Sequence, residues 1–256
     1  MNKKKYLVFT KVFARLALFS YLLFSMSCAK QYHLADIKTR KYSIEKASYP
    51  VDTKIAAMIE PYKEQLDKTM NDVIGNCTEE MTKGRPSSTL TNWFGDVLLS
   101  GAQKLVKDTV DFAIQNYGGI RVPFVTVGPV TVGKIYELMP FDNILYLVPM
   151  KGAEVTMLFD KIAQSGGWPV SHTVHLEIEY GKIKNLTING KLIDNNKTYL
   201  AAIPDYVANG GDNLEFLAKL PKQDTGKLLR DILIDEVKSI TAKGGEIKGV
   251  NDNRIF

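Results

Sequence analysis

The chain has 256 residues, 45% hydrophobic and 24% charged, with 33 basic against 28 acidic side chains. Five of the basic residues, Lys3, Lys4, Lys5, Lys11 and Arg15, precede residue 28 and no acidic residue does, so the remainder carries 28 of each sign. That balance speaks against a polynucleotide partner, which calls for a basic excess, though not against a mononucleotide; and two cysteines, Cys28 and Cys77, speak against a disulfide framework, so the fold must rest on an apolar core.

The first segment, 1–27, reads as a secretory signal: lysines, an apolar run from Leu16 to Phe24 too short to span a bilayer, then SMSCAK. It resembles the leader of bacterial lipoproteins, in which cleavage before Cys28 leaves that cysteine to carry the lipid. Ser27 suits the position before the cut and Ser25, where leucine is usual, departs from the pattern; an ordinary signal peptide cut nearby and an uncleaved anchor remain the alternatives. Residues 28–50 are polar and aperiodic, as a tether would be, and a folded domain is expected over 51–256. Three sequons, at Asn76, Asn185 and Asn196, matter only in a eukaryotic secretory pathway.

A helix is predicted after Asp52, with Ile55, Met58, Ile59, Tyr62, Leu66 and Met70 at three- and four-residue spacing and Pro61 as a kink or restart. VIGN reads as a strand and TEEMTKGRPSS as a loop. From Thr89 a second helix places Leu90, Trp93, Phe94, Val97, Leu98, Ala102 and Leu105 on one face, with Trp93 and Phe94 in the core. VDFAIQN reads as a buried strand ending at Asn116, Val125 to Val132 as an extended segment, NILYLVPM as a strand and GAEVTMLFDKIAQSGG as a helix with a glycine stop. HTVHLEIEY alternates, NLTINGKLID carries the hairpin pair Asn189-Gly190, TYLAAIP is a strand, DYVANGGDN a loop, and a last helix is expected from Thr225 to Ala242 with Leu228, Leu229, Ile232, Leu233 and Val237 inward. Strands and helices mix without βαβ alternation, so the class is α+β.

Two motifs are decoys. Gly128 to Lys134 fits G-x-x-x-x-G-K, but Ile135 stands where magnesium needs a hydroxyl, and Val130, Thr131 and Val132 favour extended backbone over an amide cradle. His172 and His175, three apart on an alternating strand, point to opposite faces and cannot share a metal, and His33 lies in the tether. No nucleophile elbow is present, and Cys77 has no histidine near it in sequence. Neither a catalytic metal site nor covalent catalysis is therefore expected.

Asn116-Tyr117-Gly118-Gly119-Ile120-Arg121, beyond the end of a predicted strand, reads either as a backbone close to an anion held by the arginine or as a surface turn with a solvated arginine. Together with Met139-Pro140-Phe141-Asp142-Asn143 and Asp205-Tyr206-Val207-Ala208-Asn209-Gly210-Gly211-Asp212 it resembles the C-terminal domain of 5′-nucleotidases, whose forms are N-x-G-G-I-R, P-F-x-N and F-x-x-N-G-G-D. The resemblance runs from about Val51 to the end, through TNWFGDVLL, VTVGKIYELMPFDN and LLRDILIDEV in the family's order. It implies that family's α+β fold of mixed sheets, packed helices and hairpins.

It also implies roles: Arg121 on substrate phosphate, Asn116 on the base, Phe141 and Tyr206 sandwiching the base, and Asp212 on the ribose hydroxyls, with Gly118, Gly119, Asn143, Asn209, Gly210 and Gly211 completing the site. The bland alternatives are core aromatics and a loop-capping aspartate. Tyr206 replaces the family's phenylalanine, and KGRPSSTL, with Ser87 near the expected acid, leaves Arg85 as a weak phosphate candidate. The family normally carries an N-terminal metallophosphoesterase domain, which this sequence does not show. The expectation is therefore an exported, lipid-anchored recognition half of a split 5′-nucleotidase, at a bacterial periplasm or cell surface. It would have no cofactor of its own, and the divalent metals would sit in a separate metallophosphoesterase chain. A nucleoside- or nucleotide-scavenging lipoprotein without an enzymatic partner is the alternative, and a remnant that has lost its ligand a third reading.

Overall fold

Trp93 and Phe94 set the first packing constraint, since both are buried on one face of a helix that runs from Thr89 to Leu105 (α2). The computed structural model describes residues 51–256 together with 11, 13–17 and 20. The expected leader, apart from those few positions, the tether 28–50 and Cys28 lie outside the described residues. Residues 53–256 group into one unit. No helix among the described residues is long and apolar enough to cross a membrane.

Helix α1, Thr53–Met70, is continuous through Pro61. Met58, Ile59, Tyr62 and Leu66 are exposed, and only Met70 packs against the core. Helix α2 begins where Ser88 accepts a hydrogen bond from the Thr91 amide while Thr91 Oγ1 accepts one from the Ser88 amide. That reciprocal cap satisfies two donors that the first turn would otherwise leave open.

The strands are β1 (Val73–Cys77), β2 (Met81–Thr82), β3 (Phe112–Ala113), β4 (Phe124–Val125), β5 (Gly128–Thr131), β6 (Ile144–Lys151), β7 (Val174–Glu179), β8 (Lys182–Ile188), β9 (Lys191–Leu192), β10 (Thr198–Pro204) and β11 (Gln223–Leu228). The central sheet has the order β11-β6-β10-β3, with β10 parallel to β3 and β6 antiparallel to both β10 and β11. Alternation along β6 sends Leu145 and Leu147 into a core shared with α2 and the last helix, α7 (Leu229–Ala242). It sends Val148 and Met150 into a second core with the helix Gly152–Gln164 (α4) and strands β7 and β8. Both faces of the sheet are thus covered, and the architecture is α+β as expected. The Asn189-Gly190 hairpin forms, with both residues at positive φ, 54° and 71°.

Four local expectations are corrected. The last helix starts at Leu229, not Thr225, because residues 223–228 pair with β6, Gly226 takes a φ of 65° that a helix cannot use, and the Thr225 hydroxyl donates to the Leu145 carbonyl. The extended segment ends at Thr131, whose hydroxyl caps an unexpected helix α3, Val132–Leu138, by accepting from the Lys134 amide. The loop TEEMTKGRPSS contains β2, paired with β4. The strand expected over VDFAIQN is reduced to Phe112–Ala113, with Ile114 bridging to Val170.

Helix α2 lies so close to the segment before β7 that a Cβ on Gly95 would stand 2.2 Å from the Val170 carbonyl oxygen. Backbone cannot yield as a side chain can. Gly95→Ala is therefore expected to destabilise the domain by about 1–3 kcal/mol in a denaturant titration, and an unchanged midpoint would show that α2 sits further from this segment.

Candidate functional site

The parallel pairing of β3 with β10 fixes where the site forms. Ala201 and Ala202 lie opposite Phe112 and Ala113, so both strands run out at the same edge of the sheet, and the antiparallel β6 begins there, with Leu145 opposite Pro204. Three segments distant in sequence therefore emerge together: 115–121 after β3, 139–143 before β6, and 205–213 after β10. Strand ends that diverge into loops at one edge leave a natural crevice.

The first segment turns through a short 3-10 helix, Tyr117–Gly119 (η1). Gly119 permits this, since a Cβ there would fall 1.7 Å from Gln115 Nε2; Gly118 has no such restriction, its nearest neighbour being Asn116 Nδ2 at 3.8 Å. The third segment opens with a single helical turn, Asp205–Ala208 (α5), followed by Gly210 at φ 96° and by Asp212 and Asn213 at 55° and 61°. Asp and Asn tolerate the left-handed region better than other side chains. A Cβ on Gly211 would lie 2.6 Å from the Tyr206 ring, so its bare backbone lets the ring fold across the loop.

These turns bring Asn116, Tyr206 and Asp212 together. Asn116 Nδ2 donates to Asp212 Oδ2 at 2.8 Å, the Tyr206 hydroxyl lies 3.4 Å from Asp212 Oδ1, and the Asp212 amide donates to the Tyr206 oxygen at 3.3 Å. Phe141 and Tyr206 remain 41% and 48% exposed, which removes the core-aromatic alternative for both. Asn143 does not stand free: its Nδ2 donates to Asp205 Oδ1 at 2.6 Å, and the same oxygen accepts the Tyr206 amide at 2.7 Å. One carboxylate oxygen thus ties the Phe141 segment to the Tyr206 turn. Asn209 closes α5, and its Oδ1 accepts from Lys222, which follows the short helix α6, Glu215–Ala218.

Arg121 lies with its guanidinium carbon 5.4 Å from the Phe141 ring centre, and its Nη1 donates to the Gly118 carbonyl. Two more cations gather at Tyr117, Lys83 Nζ at 4.1 Å and Arg85 at 4.0 Å from its ring. Among the described residues none of the three pairs with a carboxylate. Partial burial, with Arg121 and Arg85 nearby, pushes the Lys83 amine below the usual lysine range.

Sequence reasoning missed Lys83 and Arg230, and it included Asp205 in the third segment without giving it a role. Arg230, in α7, is buried under Tyr136 and donates to the Phe141 carbonyl and to Asp142 Oδ1 at 3.3 and 2.7 Å. Its burial opposes the charge, but the hydrogen bond and charge of Asp142, with Tyr136, more than offset it and hold the pKa above the ordinary value. LLRDILIDEV carried the signal, an arginine placed between core leucines.

Metal ligation finds no donor set: among the described residues no three His, Cys, Asp or Glu side chains cluster. His172 Nδ1 meets Asp96 at 3.1 Å, whereas His175 packs on Phe256. Cys77 is buried, and burial raises its thiol pKa.

Residues 69–219 match the family described as 5′-nucleotidase, C-terminal domain. Protein UshA of Yersinia enterocolitica is 30% identical over 226 residues, 85% of this chain and 40% of that protein. A 5′-nucleotidase of Vibrio vulnificus is 27% identical over 80% of this chain and 37% of its own length. The crystal structure of a 5′-nucleotidase precursor from Thermus thermophilus superposes with a TM-score of 0.68 at 23% identity, covering 82% of this chain and 44% of that one. The chain thus spans about two fifths of the length of these relatives.

A lysine whose pKa is lowered in the folded state is penalised while protonated, so this cost to stability is present below the lowered value and lifts as pH rises past the unfolded one. In a pH titration followed by NMR of the lysine side chains, Lys83 is expected to lose its proton before the exposed lysines do. Titration together with the others, or after them, would remove the cationic cluster.

Proposed function

The chain belongs to the 5′-nucleotidase C-terminal domain family, and we propose that it is the nucleotide-recognising half of an exported, lipid-tethered 5′-nucleotidase whose metal centre resides in a separate metallophosphoesterase chain. One observation carries the recognition half of this reading: Asn116, Tyr206 and Asp212 meet at one sheet edge beside three cations that have no carboxylate partner among the described residues. A flat base would lie between Phe141 and Tyr206, with Asn116 at its edge. The Asp212 carboxylate would accept the ribose hydroxyls, and Arg121 with Lys83 would hold the 5′-phosphate. Asp205 and Arg230 are positioning residues, since they fix the two ring-bearing segments. Gly118, Gly119, Gly210 and Gly211 shape the backbone on which these side chains stand.

Hydrolysis needs an activated water, and the residues described here do not suit the two metals that this family's chemistry employs. This chain's part is to bind and orient: the base is clasped, the ribose fixed, and the phosphate presented towards the partner. The leader and Cys28 support export and a lipid anchor, which would hold recognition at the periplasmic or outer face of a membrane.

Calorimetric titration with AMP and adenosine should give saturable binding, weakened roughly 5- to 150-fold by Phe141→Ala or Tyr206→Ala, the equivalent of about 1–3 kcal/mol per stacked face. Equal binding by wild type and both variants would reject the clasp, and binding with no enzymatic partner to be found would leave a scavenging protein. Phosphate release from AMP with divalent metal is expected only when a secreted metallophosphoesterase chain is added. Release by the purified protein alone would overturn the split arrangement.

A further inference from the structure

A polar cleft of about 280 Å³ opens beside the site, bounded by Arg85, Tyr117 and Gly118, by Lys161 of α4, and by Asp212 and Asn213. Neither Phe141 nor Tyr206 lines it, so it is not the space between the rings. We propose that this cleft is a second anion subsite, which takes a phosphate carried on the 2′- or 3′-oxygen of the ribose. The inference rests on the reading of Asp212 as the ribose-holding residue.

The cleft shares the Asp212 wall with the nucleotide site. A ribose whose hydroxyls face that carboxylate therefore presents its 2′- and 3′-oxygens to the cleft, and a substituent on either oxygen has this space to enter. The charges select what enters. Arg85 and Lys161 have no carboxylate partner among the described residues, and Asp212 is the only acidic group in the lining. Its oxygens already accept from Asn116 and Tyr206. The C-terminal end of α4 adds roughly half a negative charge, which two full cations outweigh. A ribose bearing one such phosphate keeps one hydroxyl to donate to Asp212.

A second aromatic base fits less well. Trp168, which also lines the cleft, is 4% exposed, and the Tyr117 ring already carries Lys83 and Arg85 against it. The cleft accommodates a phosphate with several hydrating waters.

The cation pair is also built in place. Gly167, at φ 102°, has no room for a Cβ, which would fall 2.3 Å from the Pro86 carbonyl oxygen, so the loop that carries Arg85 packs directly on the turn after α4. A Cβ on Gly166 would lie 3.6 Å from Arg85 Nη1. This contact places the guanidinium against the same helix end that carries Lys161.

The test is calorimetric titration of the purified protein with AMP, adenosine 3′,5′-bisphosphate and adenosine 2′,5′-bisphosphate, for wild type and Lys161→Gln. At least one bisphosphate is expected to bind roughly tenfold tighter than AMP, the scale of one added charge-assisted contact. Lys161→Gln should bring that ratio close to one while leaving AMP affinity unchanged. Two bisphosphates binding no tighter than AMP, or a ratio that survives Lys161→Gln, would overturn the subsite and leave the mononucleotide reading intact. Absence of binding by AMP itself would overturn that reading and the subsite with it.

Discussion

The parallel contact between β3 and β10 is the constraint on which the site depends. Only a few residues of β3 take part, yet their direction decides that Asn116 and Asp205 leave the sheet at the same edge. Had the short strand paired antiparallel, the segment carrying Arg121 would have emerged at the opposite end. Both strands are buried on both faces, so the pairing is held by two apolar cores rather than by its few hydrogen bonds.

On that edge, polar groups tie the loop segments to one another and to the core. Asp205 Oδ1 serves two segments at once, and Arg230 reaches from a core helix to the Phe141 carbonyl. These links allow two large rings to stand about half exposed without collapsing onto the apolar surface. The left-handed backbone at Asp212 and Asn213 fits the same pattern, because residues in sparsely populated conformations persist where their surroundings over-determine them.

Cationic groups are arranged differently. Lys83, Arg85 and Arg121 surround η1 with carbonyls and ring faces, and among the described residues no carboxylate, as their partners, and partial burial together with that crowding depresses the Lys83 pKa. Like charges held together without counter-charge favour an incoming anion. The polar cleft on the Lys161 side, which neither Phe141 nor Tyr206 lines, extends this field past Asp212.

The sequence by itself determined the α+β class, the two long core-facing helices, the Asn189-Gly190 hairpin and the three motif segments, because each rests on local periodicity or on backbone-specific residues such as paired glycines. It could not place the start of α7. Leu228 and Leu229 fit a helical stripe equally well, and only pairing with β6 and the positive φ of Gly226 withdrew residues 223–228 into a strand. Helix α3 escaped notice because Val130, Thr131 and Val132 at its start favour extended backbone, and only the Thr131 cap and burial of Val132, Ile135 and Leu138 reversed that preference. The partners of Asn116 and Asn143 were decided by tertiary structure alone, since side chains 96 and 62 residues apart meet only after strand order and register are set.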